Sequence, residues 1–99
     1  MILSIVIPVY NEEKTVIEIL KKIKDNQSNL FKYEIIVIDD GSTDQSRKLL
    51  ENNKNLYDKL LINESNRGKG FSVKRGISSA SGTHVIFQDR KSTRLNSSH

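Results

Sequence analysis

The chain has no cysteine and only two histidines, His84 and His99, in 99 residues. The first absence excludes disulfides and thiolate metal sites and is compatible with a reducing compartment. The second leaves no material for a histidine metal cluster or a Ser–His pair. No apolar run approaches the roughly 18 residues needed to span a bilayer. MILSIVIPVY is short and lacks a basic flank, so it reads as a strand and not as a signal peptide. A basic surface is missing too. The net charge is +4, but Arg90, Lys91 and Arg94 sit in an acid-free tail, which leaves residues 1–89 with 13 basic and 12 acidic side chains. So near-neutral a domain lacks the electrostatic footprint of a nucleic-acid binder.

What is present is short apolar runs separated by polar loops, on a length that suits one small domain. LSIVIPV (3–9) and YEIIVI (33–38) are β-branched runs of the kind that form strands buried on both faces. Asn11 is placed to cap a first helix, with Glu12 and Glu13 in its first turn and Val16, Ile19, Leu20 and Ile23 on its apolar face. Ser42 followed by Gln45 fits a capping box for a second helix, with Leu49 and Leu50 facing inward. KLLIN (59–63) reads as a third strand. A third helix is expected from about Gly70 to Ala80, with Phe71, Val73, Ile77 and Ala80 inward, before a fourth strand, THVIFQ. Strands alternating with helices predict an α/β fold with a parallel sheet.

In such folds ligands bind beyond the carboxyl ends of the strands. Four polar clusters fall there: PVYNEE, DDGSTD, SNRGKG and QD. Each taken singly has a plain explanation as a strand exit, cap or surface turn. Together they gather Glu12, Asp39, Asp40 and Asp89 with Arg67 and Lys69 around one crevice, a mixture that suits a sugar nucleotide. Carboxylates can accept from base N–H and ribose hydroxyls or hold a divalent cation, and cations with glycine-exposed N–H groups can approach a diphosphate. The first loop carries no glycine, which excludes a GxGxxG dinucleotide site, and Arg67-Gly68-Lys69-Gly70 is not a Walker loop. Two-component receiver domains place their acidic pair after the first strand; here it follows the second. Tyr33, Tyr57, Phe31 and Phe87 read as packing groups, and Lys74 and Arg75 as a solvated helix face.

VIPVYNEE (6–13), IVIDDGSTD (36–44), NRGKGFSVKRGISSASG (66–82) and VIFQD (85–89) resemble, in order and with natural spacing, the family 2 glycosyltransferases. The likeness is nearest to the dolichol- and polyprenyl-phosphate mannosyltransferase-like branch. It implies a GT-A type, Rossmann-like parallel sheet with flanking helices, truncated after the fourth strand. Residues 1–89 would be the N-terminal, nucleotide-sugar-binding part of the enzyme. By the same resemblance Pro8, Tyr10 and Glu12 contact the nucleoside, Asp39 and Asp40 recognise base and ribose, and Arg67 and Lys69 flank the nucleotide. Asp89 matches the first aspartate of the motif that holds a divalent cation, Mg2+ or Mn2+. The second would fall at Lys91, which cannot ligate a metal. The parent enzyme would pass a hexose from a nucleoside-diphosphate sugar to a polyprenyl phosphate or growing polysaccharide, at the cytoplasmic face of a membrane or in the cytoplasm. Its general base would lie downstream, leaving residues 1–99 inactive alone. DRKSTRLNSSH resembles a translated sequencing-library adapter, so residues 90–99 are expected to be a non-native, disordered tail. The alternative is a non-catalytic nucleotide-binding or regulatory module of the same fold.

Overall fold

The computed structural model describes residues 2–82, 84–88 and 95–98. Strand β1 (Ile2–Val9) pairs in parallel with β2 (Lys32–Asp40), Ile5 standing opposite Ile35 and Val9 opposite Asp39. β3 (Lys59–Asn63) extends the sheet on the β2 side and β4 (His84–Gln88) on the β1 side, both parallel. Helices α1 (Val16–Asp25), α2 (Ser46–Glu51) and α3 (Lys69–Ser79) occupy the crossovers, with a 3-10 turn at Lys54–Leu56. The sheet order is β3-β2-β1-β4-β5. β5 (Leu95–Ser98) is antiparallel to β4, with Val85 opposite Ser98. A strand edge offers a row of unpaired backbone groups, and a polar segment can pair with it through its backbone alone.

The pleat sends alternate residues to opposite faces. Ile5, Ile7, Val9, Ile35 and Val37 pack against Val16 and Leu20 of α1, Leu50 of α2 and Leu56. Val6, Ile36 and Ile38 form the other face, beneath Ile77 and Ala80. Each fully buried aliphatic side chain contributes about 1.5–3 kcal/mol. α3 lies very close to this second face because its sheet-facing residues are small. Ser72 and Gly76 are buried, and a Cβ on Gly76 would overlap Val6 and come within 2.7 Å of Ile38 Cδ1. Phe71, expected inward, is instead 46% exposed. A ring cannot fit where a methyl group already collides.

The expected caps are also corrected. Thr15 and Gln45 occupy the N-cap positions of α1 and α2, and neither makes a side-chain cap. The carbonyl of Glu12 accepts from the N–H groups of Thr15 and Val16 as the chain enters α1. Asn11 and Ser42 serve a different purpose, joining two loops.

Candidate functional site

The loops after β1 and β2 are stitched together at the carboxyl end of the sheet. Asn11 adopts φ 50°, a left-handed conformation that asparagine tolerates. Its Oδ1 accepts from the N–H groups of Thr43 (2.8 Å) and Asp44 (3.3 Å), while its own N–H donates to Ser42 Oγ at 3.0 Å. Glu12 N–H donates to the buried Ser46 Oγ at 2.7 Å, and Glu13 N–H to Asp44 Oδ2 at 3.2 Å. Burial would raise the Asp44 pKa, but hydrogen bonds from Ser46 and from the Glu13 N–H outweigh it and hold the carboxyl below its usual 3.8. The loop after β3 is pressed against the second loop at Gly41. This residue has φ 71°, and a Cβ there would sit 2.6 Å from Asn66 N. Both its conformation and its lack of a side chain are required.

Asp39 and Asp40 are neighbours in sequence, and the pleat sends them to opposite faces. Both are buried. Asp40 Oδ1 accepts from Asn63 Nδ2 (2.9 Å) and Arg67 N (2.8 Å); Oδ2 accepts from Asn66 Nδ2 (3.1 Å) and Gly68 N (3.0 Å). A carboxylate offers about four lone-pair sites, so Asp40 is saturated by the third loop. Asp39 is the reverse case. It is 1% exposed, and neither oxygen meets a hydrogen-bond donor among the described residues. An ionised group in that state costs several kcal/mol.

Of the other expected site residues, Pro8 is half-buried and Tyr10 is 38% exposed at the mouth of the first loop. Glu12 is half-buried, and its Oε2 accepts from Thr15 Oγ1 at 3.0 Å. Lys69 is exposed at the start of α3. Arg67 is turned over the Phe71 ring, 5.1 Å from its centroid. There it lines a cavity of about 290 Å3 with Ile62, Asn63, Glu64, Ser65, Phe71 and Arg75. Pro8, Tyr10, Glu12 and Asp39 do not line that cavity. Arg75 is not a solvated group: its Nη1 donates to Ile62 O (2.7 Å) and to Asn63 Oδ1 (2.8 Å). Asp89 lies outside the described residues.

The family model of glycosyl transferase family 2 matches residues 4–90. The chain belongs to that family. It is 39% identical over 90 residues to the undecaprenyl-phosphate 4-deoxy-4-formamido-L-arabinose transferase of Proteus mirabilis, covering 87% of this chain and 28% of the relative. It is 38% identical over 98 residues to the dolichyl-phosphate beta-glucosyltransferase of Dictyostelium discoideum, covering 88% of this chain and 30% of that protein. The chain thus spans less than a third of the length of these relatives. S. aureus TarS, crystallised with UDP-GlcNAc, superposes with a TM-score of 0.79 and 31% identity over 90% of this chain and 26% of that one. The Pyrobaculum calidifontis mannosyltransferase PcManGT, crystallised with GDP-Man and Mn2+, gives 0.75 and 27%, over 88% and 26%. The fold of this family 2 chain is accordingly of the GT-A type.

Among the described residues no group of three or more His, Cys, Asp or Glu side chains is arranged to hold a metal ion. No helix among the described residues is long and apolar enough to cross a membrane. Sequence reasoning missed Asn63, Asn66 and Arg75, which build the support beneath the third loop. The available signal was two asparagines flanking a tight polar turn directly after a strand.

Proposed function

We propose that this chain is the nucleotide-sugar-binding part of a glycosyltransferase, one that moves a hexose from a nucleoside diphosphate to a polyprenyl phosphate at the cytoplasmic face of a membrane. Family membership supports the transfer, and the undecaprenyl- and dolichyl-phosphate relatives support the acceptor class. The observation that carries the reading is Asp39: a buried carboxyl whose two oxygens meet no donor among the described residues, at the carboxyl end of a central strand. Base N–H or ribose hydroxyl donors are suitable partners for it. The exposed Tyr10 ring offers a stacking surface beside Pro8 and Glu12. Asp40 acts at one remove by holding the Arg67–Gly68 turn, and Arg67 and Lys69 bring positive charge to the diphosphate side. Mg2+ or Mn2+ enters the proposal through Asp89 alone, and no step here depends on it. The base that deprotonates the acceptor is assigned to no residue of this chain.

Calorimetric titration of the 99-residue chain with UDP and with GDP tests the reading. Saturable binding is expected with a Kd on the order of 1 mM, about −4 kcal/mol, and it should disappear in Asp39→Asn. Absence of saturable binding for either nucleotide would overturn it. Sugar transfer by residues 1–99 alone is not expected.

A further inference from the structure

The side chain beneath the third loop that was expected to face solvent is Arg75. Asn63 is 5% exposed and lies between two partners that need opposite ends of its amide. Its Nδ2 donates to Asp40 Oδ1 at 2.9 Å and to Ser72 Oγ at 3.0 Å, while its Oδ1 accepts from Arg75 Nη1 at 2.8 Å. Turned by 180°, the amide would set its oxygen against the Asp40 carboxylate, acceptor against acceptor. Asp40 in turn binds the N–H groups of Arg67 and Gly68 at 2.8 and 3.0 Å. The guanidinium is always charged and presents donors in a fixed fork, so it can hold Ile62 O and Asn63 Oδ1 together.

We propose that Arg75 is a positioning residue: by fixing the Asn63 amide it fixes the Asp40 carboxylate, and so places the Asn66–Gly68 turn at the rim of the crevice. Its consequence for ligand rests on the nucleotide-binding reading above; its effect on the turn does not. Arg75 is anchored on α3, whose buried Ser72 and Gly76 hold the helix against the sheet. The relay therefore ties the turn to the most closely packed helix of the fold. The Arg67 guanidinium over Phe71 is the outermost element so placed.

The test is amide hydrogen exchange on the 99-residue chain, followed by UDP and GDP titration. In Arg75→Met the Arg67 and Gly68 amides should exchange about tenfold faster, while Ile36 and Ile38 amides in β2 stay as in the wild type. Nucleotide affinity should fall about tenfold, the size of one lost charge-assisted hydrogen bond. Arg75→Lys keeps a cationic donor and should restore most of both, which a purely space-filling role would not do. Unchanged exchange at Arg67 and Gly68 overturns the proposal, as does faster exchange spread equally over β1–β3. Should Arg75→Met fail to fold, the shorter, uncharged Arg75→Gln is used in its place and should speed Arg67 and Gly68 exchange in the same direction by a smaller factor, with β2 again unchanged. If the wild type binds no nucleotide, the crevice reading falls while the exchange data still decide the role of Arg75.

Discussion

The two ends of the sheet differ in how their carboxylates are answered: half-buried Glu34 at the amino end is fully partnered, whereas of the buried pair at the carboxyl end only Asp40 meets donors among the described residues. At the amino end, Glu34 Oε1 accepts from Ser4 Oγ and Ser81 N, both at 2.8 Å, and Oε2 lies 3.4 Å from Lys59 Nζ. Lys59 also donates to Ser79 O at 2.7 Å, and Gly82 N to Ser4 Oγ at 2.9 Å, so one carboxylate clamps β1, β2, β3 and the exit from α3. At the carboxyl end Asp40 is satisfied in the same manner, but its neighbour Asp39 is left without a donor among the described residues. The difference separates carboxylates that hold the protein from the one available to hold something else. Stability and ligand binding should then respond to different members of the set.

The largest effect is expected for Asp40→Ala, which strands four donors at once. A loss of about 3–5 kcal/mol should appear in urea denaturation, less than a sum of single bonds because the four share one carboxylate. Gly41→Val should cost about 3 kcal/mol in the same measurement, from a forced positive φ and from collision with Ser65 and Asn66. Glu34→Gln should cost about 1–2 kcal/mol and carry a pH signature. Burial acts to raise the Glu34 pKa, but hydrogen bonds from Ser81, Ser4 and Lys59 and the Lys59 charge outweigh it and hold the pKa below 4.5. Its stabilising effect is therefore complete above pH 4.5 and is lost as pH falls from there through the lowered value. Unfolding followed from pH 6 to 3 should show a shallower decline in Glu34→Gln than in the wild type. The smallest change is expected for Lys22→Ala, which removes an exposed pair with Glu18 at 3.6 Å and should shift stability by less than about 0.5 kcal/mol.

The strands were legible because β-branched runs bounded by polar loops have few other uses, and the placement of the buried Val6 and Ile7 on opposite faces follows from the pleat alone. The divergence of Asp39 and Asp40 was not anticipated: both were expected to face the ligand, although the same pleat sends adjacent residues to opposite faces. Helix starts were not, because Asn11 and Ser42 carry the chemistry of a cap and also that of a cross-loop tie. Sequence spacing does not say which donor will be nearest. Phe71 was misplaced because helical periodicity ranks residues by hydrophobicity, whereas this helix turns its smallest residues to the sheet. Arg75 was read as solvated because nothing local shows that a carbonyl and an asparagine from β3 will meet it.

The central claim is that Asp39 belongs to the ligand and Asp40 to the fold. It is tested most directly by measuring thermal stability and UDP or GDP binding together for Asp39→Asn and Asp40→Asn. The account predicts that Asp39→Asn keeps or raises the wild-type Tm and loses nucleotide binding, because it replaces a buried carboxyl that meets no donor among the described residues. It predicts that Asp40→Asn lowers the Tm. An Asp39→Asn chain that unfolds as readily as Asp40→Asn, or that binds nucleotide as the wild type does, would contradict it.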